Sequence, residues 1–362
     1  MEIIRTRVDA CDRVLRGGEP LEEVEKYLSL RNKGGAAGSL SPWPVHPPEP
    51  YRIKCVELRG EGCPNFETRL QAIEEAGYNT FLIKEEKGVT LYIDLLTDSG
   101  TTAMSDLQWA GMLKGNEDYA GSRSYYPLDR VIKEVYGWKE VVPTHQGRGA
   151  EHIVSSIFIK PLLEKYPGDP IFVPKNMYFT TTKVHILKAG GIFKDIIIDE
   201  AHDPTAYHPF KGNVDIKKLE NLIAECIEKW GSEHGPRHIA YVHAEGCVNM
   251  AGGQPFSMEN LKALRALTQK YDIPLLLDAT RVVENAYFIQ QREKEYKNKS
   301  VAEIVREIGG LTDGCTMSSK KDHLVNIGGF LALNDSEKAS KAREMLVDRS
   351  EERRVGKECR SR

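Results

Sequence analysis

The chain has 362 residues, with 50 Lys and Arg against 53 Asp and Glu, for a formal net charge of -3. That length allows one large domain plus a smaller one. Near-neutral charge gives no electrostatic case for a nucleic acid or a membrane surface as partner, and no apolar run is long enough to span a bilayer.

The N-terminal Met1-Glu2-Ile3-Ile4-Arg5 lacks a signal-peptide pattern. The seven cysteines are scattered without CxxC spacing, which reads as reduced thiols in a cytoplasmic protein. Residues 1–47 read as an N-terminal extension. A charged helical stretch, Leu21 to Leu30, runs into Gly34-Gly35-Ala36-Ala37-Gly38 and then Pro42, Pro44, Pro47 and Pro48, a linker composition.

Further on the pattern becomes regular. Leu91 to Leu96 is a strand candidate, Asp129 to Tyr136 is helical, Val141-Val142 is a short strand, and Ala150 to Leu163 is helical. Ile171-Phe172-Val173 and Ile196-Ile197-Ile198 are short β-branched runs. Ile216, Leu219, Ile223, Ile227 and Trp230 have helical spacing, and Ile239 to Val242 is a strand. Ser257 suits the cap of a helix carrying Leu261, Leu264 and Leu267 on one face. A strand then ends at Asp278, a helix covers Val301 to Ile308, and a strand runs into Met317. Strands alternating with helices predict an α/β fold whose mostly parallel sheet is covered by helices on both faces. Ligands of such sheets sit beyond the carboxyl ends of the strands.

Several motifs fall at those ends. Thr144-His145-Gln146-Gly147-Arg148-Gly149 lies between a strand and a helix, where backbone amides and Arg148 suit a phosphate. It matches neither a Walker A loop nor GxGxxG, and many glycine turns simply start helices. Asp278 is a carboxylate at the end of a buried strand, and it needs a partner. A pyridinium nitrogen would be one; an N-cap role is the plain alternative. Lys320-Lys321-Asp322 follows the last strand. A cationic neighbour and partial burial lower a lysine pKa and suit it to a Schiff base, whereas a solvated charged turn is the ordinary reading of such a run. Phe179, in Phe179-Thr180-Thr181-Thr182, has the ring to stack on a planar cofactor, or is a core aromatic. Tyr119 is a candidate general acid, or part of a surface loop. In chain order these motifs are a phosphate turn, an aromatic ring, an aspartate and a lysine, and together they suggest pyridoxal 5′-phosphate.

At these residues the chain resembles the aromatic amino-acid β-eliminating lyases, the family of tyrosine phenol-lyase and tryptophanase. The resemblance runs from about Pro48 to about Asp335. It includes Ile93 to Thr101, Pro143 to Glu151, Ala251-Gly252-Gly253-Gln254-Pro255, and Glu284-Asn285-Ala286-Tyr287-Phe288. It implies an aspartate-aminotransferase-like fold (fold type I) with a small domain left incomplete. The implied divisions are 1–47 as extension and linker, 48–92 as N-terminal arm and part of the small domain, 93–331 as the cofactor-binding large domain, and 332–362 as a truncated C-terminal segment.

The same resemblance implies site roles. Lys321 would hold the cofactor and remove the Cα proton. Asp278 would pair with the pyridine nitrogen and Phe179 would stack on the ring. Asn249 and Arg281 would contact its phenolic oxygen, and Gln146, Gly147, Arg148 and Ser318 would bind the phosphate. Thr97, Ser99 and Asn249 would lie near the substrate carboxylate, with Thr180 near the leaving group. Tyr119 of a neighbouring subunit would protonate that group. Gly100, Glu117 and Asn326 would hold a monovalent cation, usually potassium. The implied assembly is a homotetramer, a dimer of dimers, in the cytoplasm.

The implied reaction is β-elimination of tyrosine to phenol, pyruvate and ammonia. The Phe-Thr-Thr-Thr run and Leu324 to Phe330 favour tyrosine. Tryptophan cleavage to indole is the alternative, and an inactive cofactor-binding fragment is another. The last is raised because the family continues for a further hundred-odd residues past the match to Asp335, a segment that supplies the substrate-carboxylate clamp. From about Val347 the sequence is dense in charge and lacks apolar periodicity, which reads as disorder and as a tail foreign to the native protein. The expectation is a chain that binds its cofactor better than it turns over tyrosine.

Overall fold

The computed structural model describes residues 51–53, 66–79, 82–83, 98–99, 103–116, 118 and 121–348. The strand expected at Leu91 to Leu96 and the helix expected at Leu21 to Leu30 lie outside them. The chain divides into two compact units, one of Met1–Arg52 with Ser105–Gly111, the other of Ile53–Met104 with Met112–Arg362. Outside the main sheet are strands Tyr51–Ile53 (β1) and Ala103–Ser105 (β2), and helices Phe66–Glu75 (α1) and Asp106–Lys114 (α2).

The second unit contains a seven-stranded sheet. In chain order its elements are α3 (Tyr125–Tyr136), β3 (Glu140–Thr144), α4 (Gly147–Lys165), β4 (Phe172–Lys175), α5 (Thr180–Lys188) and β5 (Ile192–Asp195). They continue with α6 (Ile216–His234), β6 (Val242–Glu245), α7 (Met258–Lys270), β7 (Leu275–Asp278), α8 (Val282–Arg292), α9 (Val301–Gly310), β8 (Gly314–Ser318), β9 (Gly329–Leu333) and α10 (Ser336–Asp348). The spatial order is β3-β9-β8-β7-β6-β4-β5. Only β9 runs against the others, pairing antiparallel with both β8 and β3. The α/β architecture with a mostly parallel, helix-covered sheet is therefore as expected.

Burial explains why the strands read as unbroken apolar runs. Successive side chains of a strand point to opposite faces. Leu275 and Leu277 enter one core cluster with Leu219, Leu261, Ile289 and Ile304 from α6 to α9. Leu276 enters the other, with Ile153, Ile157 and Ile186 from α4 and α5 and Ala342 from α10. Both faces are covered, so both must be apolar. The caps follow local chemistry. Ser257 Oγ accepts from the Asn260 amide at 3.1 Å to start α7, and Ser300 with Glu303 forms a capping box at α9.

Two expectations are corrected. The strand placed at Ile196-Ile197-Ile198 is Ile192–Asp195, four residues earlier. This is the edge strand, and three of its four residues are exposed, while Ile196 and Ile197 are buried just past its end and Ile197 forms only an isolated bridge to Val214. The strand expected at Ile239 to Val242 begins at Val242, where its ladder with β7 begins. Past residue 331, β9 reaches Leu333 and α10 follows from Ser336 to Asp348. Residues 349–362 lie outside the described set. No helix among the described residues is long and apolar enough to cross a membrane.

Candidate active site

Five strand ends converge on one cavity of about 400 Å³, within the usual size of a small-molecule site. After β3, Thr144 Oγ1 donates to the Gln146 carbonyl at 2.9 Å, and α4 starts at Gly147. A Cβ at Gly147 would stand 2.8 Å from Ser318 Cβ, so glycine is what lets the helix start lie against the end of β8. Gly329 answers from the other side, where a Cβ would meet the Gln146 carbonyl carbon at 2.6 Å. The first amides of a helix have no intrahelical partner and carry partial positive charge. Here they open into the cavity beside Arg148 and Ser318.

The lysine turn is the connection between β8 and β9. The Ser319 amide donates to the Gly328 carbonyl at 3.0 Å, which closes the loop at its base. Lys321 Nζ lies 3.4 Å from Ser318 Oγ. Burial, with Arg281 and Lys320 close by, holds the Lys321 ammonium below its ordinary pKa against the opposing pull of Asp98 and Asp278. The next two residues anchor the turn. The Asp322 carboxylate accepts from the Val283 amide at the start of α8, 2.8 Å away. His323 is hydrogen-bonded through Nε2 to Tyr136 Oη at 2.6 Å and through Nδ1 to Ser319 Oγ at 3.1 Å. Burial pushes the His323 imidazole down to about 4, so it works here as a neutral bridge.

The floor is a row of charges. Asp278 ends β7 and its Oδ1 accepts from the Thr280 amide at 3.2 Å. Burial works to raise its pKa, but Lys175, His243 and the Thr280 contacts outweigh that and hold it low. Lys175, at the end of β4, donates to Glu245 Oε2 at 2.5 Å, and Glu245 Oε1 accepts from the Asn249 amide at 2.8 Å. The Asn176 side chain ties β4 to β6 by accepting from the Glu245 amide at 2.7 Å and donating to the Glu245 carbonyl at 3.1 Å. Glu151, on the first turns of α4, accepts from Thr181 Oγ1 at 2.6 Å and from Thr182 Oγ1. Burial and the nearby Asp278 push its carboxyl up to about 7. Arg281 makes a two-pronged pair with Asp98 at 2.7 and 2.9 Å.

Gln146, Gly147, Arg148, Phe179, Asn249, Asp278, Arg281, Ser318 and Lys321 all line this cavity, as does Ser99. Thr180 does not. It is exposed on the first turn of α5, and Thr181 faces the cavity instead. Asn326 is exposed in the β8–β9 connection and is not part of the lining. Thr97, Gly100, Glu117 and Tyr119 lie outside the described residues. Among the described residues no group of three His, Cys, Asp or Glu side chains is placed to hold a metal ion.

The cavity fits pyridoxal 5′-phosphate on its own chemistry. Its lining combines a helix start with an arginine, a buried carboxylate at the end of β7, and a lysine of lowered pKa. Sequence reasoning missed Lys175, Glu245, Glu151 and Asp98. Glu245 carried the same signal as Asp278, a carboxylate closing an apolar strand.

The Beta-eliminating lyase family model matches residues 94–356. The chain belongs to the β-eliminating lyase family. The family match continues past Asp335, where the resemblance read from the sequence ends, and past Val347, where the sequence reads as a foreign tail. Tyrosine phenol-lyase of Nostoc punctiforme is 56% identical over 304 residues, covering 83% of this chain and 60% of its own. That of Fusobacterium nucleatum is 53% identical over 302 residues, covering 83% and 61%. The chain thus spans about 60% of the length of the curated family relatives it matches. Among solved structures, threonine aldolase of Leishmania major is 16% identical with a TM-score of 0.47, covering 68% of this chain and 62% of its own.

Proposed function

We propose that the protein is a pyridoxal-phosphate-dependent lyase that cleaves L-tyrosine by β-elimination to phenol, pyruvate and ammonia. The observation that carries this reading is the convergence of a helix start, a buried aspartate and a lysine of lowered pKa on one cavity. The tyrosine phenol-lyase relatives supply the substrate class.

The helix start, Arg148 and Ser318 would hold the phosphate, and Asp278 the pyridine nitrogen. Phe179 would cover one face of the ring, and Asn249 and Arg281 would address its phenolic oxygen. When bound, the cofactor supplies an electron sink for the charge left at Cα. Lys321 Nζ would take the Cα proton, a role that its lowered pKa favours. Tyr119, from a neighbouring subunit, would pass a proton to the departing ring, and Thr97 and Ser99 would orient the substrate carboxylate. Potassium at Gly100, Glu117 and Asn326, a homotetramer and a cytoplasmic location belong to the same reading.

The test is direct. Pyridoxal phosphate added to the chain should give a visible absorption band that Lys321→Ala lacks, and tyrosine should then yield pyruvate and phenol faster than tryptophan yields indole. A band unaffected by Lys321→Ala would sink the assignment of the lysine. Indole as the favoured product would overturn the tyrosine reading.

A further inference from the structure

Two carboxylates stand side by side in the floor of the cavity. Glu245 and Asp278 are register partners on the neighbouring parallel strands β6 and β7. Parallel strands lie about 4.8 Å apart, and register partners project to the same face. The two residues are only 3% and 6% exposed. Like charges set directly opposite each other in a sheet repel, and buried carboxyls this close share a proton unless a cation intervenes.

The cation is Lys175, with no exposed surface at all. It reaches from the third strand, β4, and engages Glu245 rather than Asp278. Glu245 is thereby fully used, with Lys175 on one oxygen and the Asn249 amide on the other. Asp278 accepts from Thr280, and both carboxylates line the cavity.

We propose that Lys175 is a positioning residue for the cofactor ring: it takes Glu245 as its own partner and so reserves the neighbouring Asp278 carboxylate for the pyridine nitrogen. This rests on the pyridoxal-phosphate reading above. The charged and titratable groups that face Asp278 are Glu151 from α4, Lys175 from β4, His243 and Glu245 from β6, Arg281 after β7, Cys315 from β8 and Lys321 after β8. Of the two carboxyls, burial raises Glu245 against the pull of Lys175, whereas Lys175 and His243 outweigh burial and hold Asp278 low.

The experiment titrates the full chain with pyridoxal phosphate by absorbance from pH 6 to pH 8.5, with folding checked by circular dichroism. In Lys175→Met the two carboxyls are left to share a proton, so affinity near pH 7 should fall by about tenfold or more, and should recover relative to the parent as the pH rises. Adding Glu245→Gln removes the competitor and should restore both the affinity and the parent's pH profile.

A Lys175→Met chain that binds like the parent, or that loses the same factor at every pH, overturns the proposal. If Lys175→Met does not fold, Glu245→Gln carries the test. That change frees the ammonium to engage Asp278, so it should also cost about tenfold, and adding Lys175→Met should reverse the loss. Equal affinity in Glu245→Gln and the double variant overturns the proposal. A parent chain that takes up no pyridoxal phosphate overturns the cofactor reading along with it, whereas a binding parent with indifferent variants overturns this inference alone.

Discussion

Replacing Gly147 by alanine tests whether the start of α4 is the anion site. The new Cβ would stand 2.8 Å from Ser318 Cβ and 3.2 Å from the Ser318 amide nitrogen and Cα. Ser318 closes a strand paired on both sides, by β7 and β9, so the helix start must be the part that yields. Overpacking of this kind costs about 1–3 kcal/mol. If all of it falls on the bound state, affinity for pyridoxal phosphate drops by about 5-fold to 150-fold, at roughly 1.4 kcal/mol per tenfold. The assay is an absorbance titration run in parallel with pyridoxal, which lacks the phosphate. The loss should fall on the phosphorylated ligand. An unchanged affinity for pyridoxal phosphate, or an equal loss for both ligands, would refute the placing of the phosphate at this helix start.

Two further outcomes follow from buried groups. Glu151 is raised from an ordinary 4.5 to about 7 in the folded chain, so it keeps a proton that the unfolded chain has released. Its contribution to stability is full below about 4.5, falls as pH rises through about 7 and then levels, a change of about 3 kcal/mol. Glu151→Gln should remove that slope, so its melting midpoint should gain on the parent's between pH 5 and pH 8; a constant offset would count against the assignment. Gly309, on α9, has the Tyr136 carbonyl oxygen 2.0 Å from where a Cβ would sit. Gly309→Ala should lower the melting midpoint by about 2–12 °C, from an overpacking cost of about 1–3 kcal/mol at roughly 2–4 °C per kcal/mol. An unchanged midpoint would contradict the packing of α3 on α9.

What the sequence made legible was local. Asp278 showed itself because an apolar run ending in a charge is unusual, and Lys321 because it adjoined a second lysine and small residues. The Gln146 turn was visible as glycines between a strand and a helix. Pairing across the sheet was not legible. Lys175 and Glu245 are 70 residues apart in the chain, and only the strand order β6-β4 brings them together. β9 was missed as well: it opens on a glycine, and its antiparallel place between β8 and β3 is again a pairing across the sheet. The edge strand β5 was misplaced because its own residues are largely exposed, and the more apolar run after it drew the assignment.

The five strand ends that meet at the cavity lead into separate loops. A single small molecule held at the helix start, at Asp278 and at Lys321 would act as a rivet across the width of the sheet. Opening any one of those loops would then mean first letting go of the ligand. Resistance to heat and to proteases would therefore rise with cofactor concentration, and the protection should be shared by loops that lie far apart along the chain.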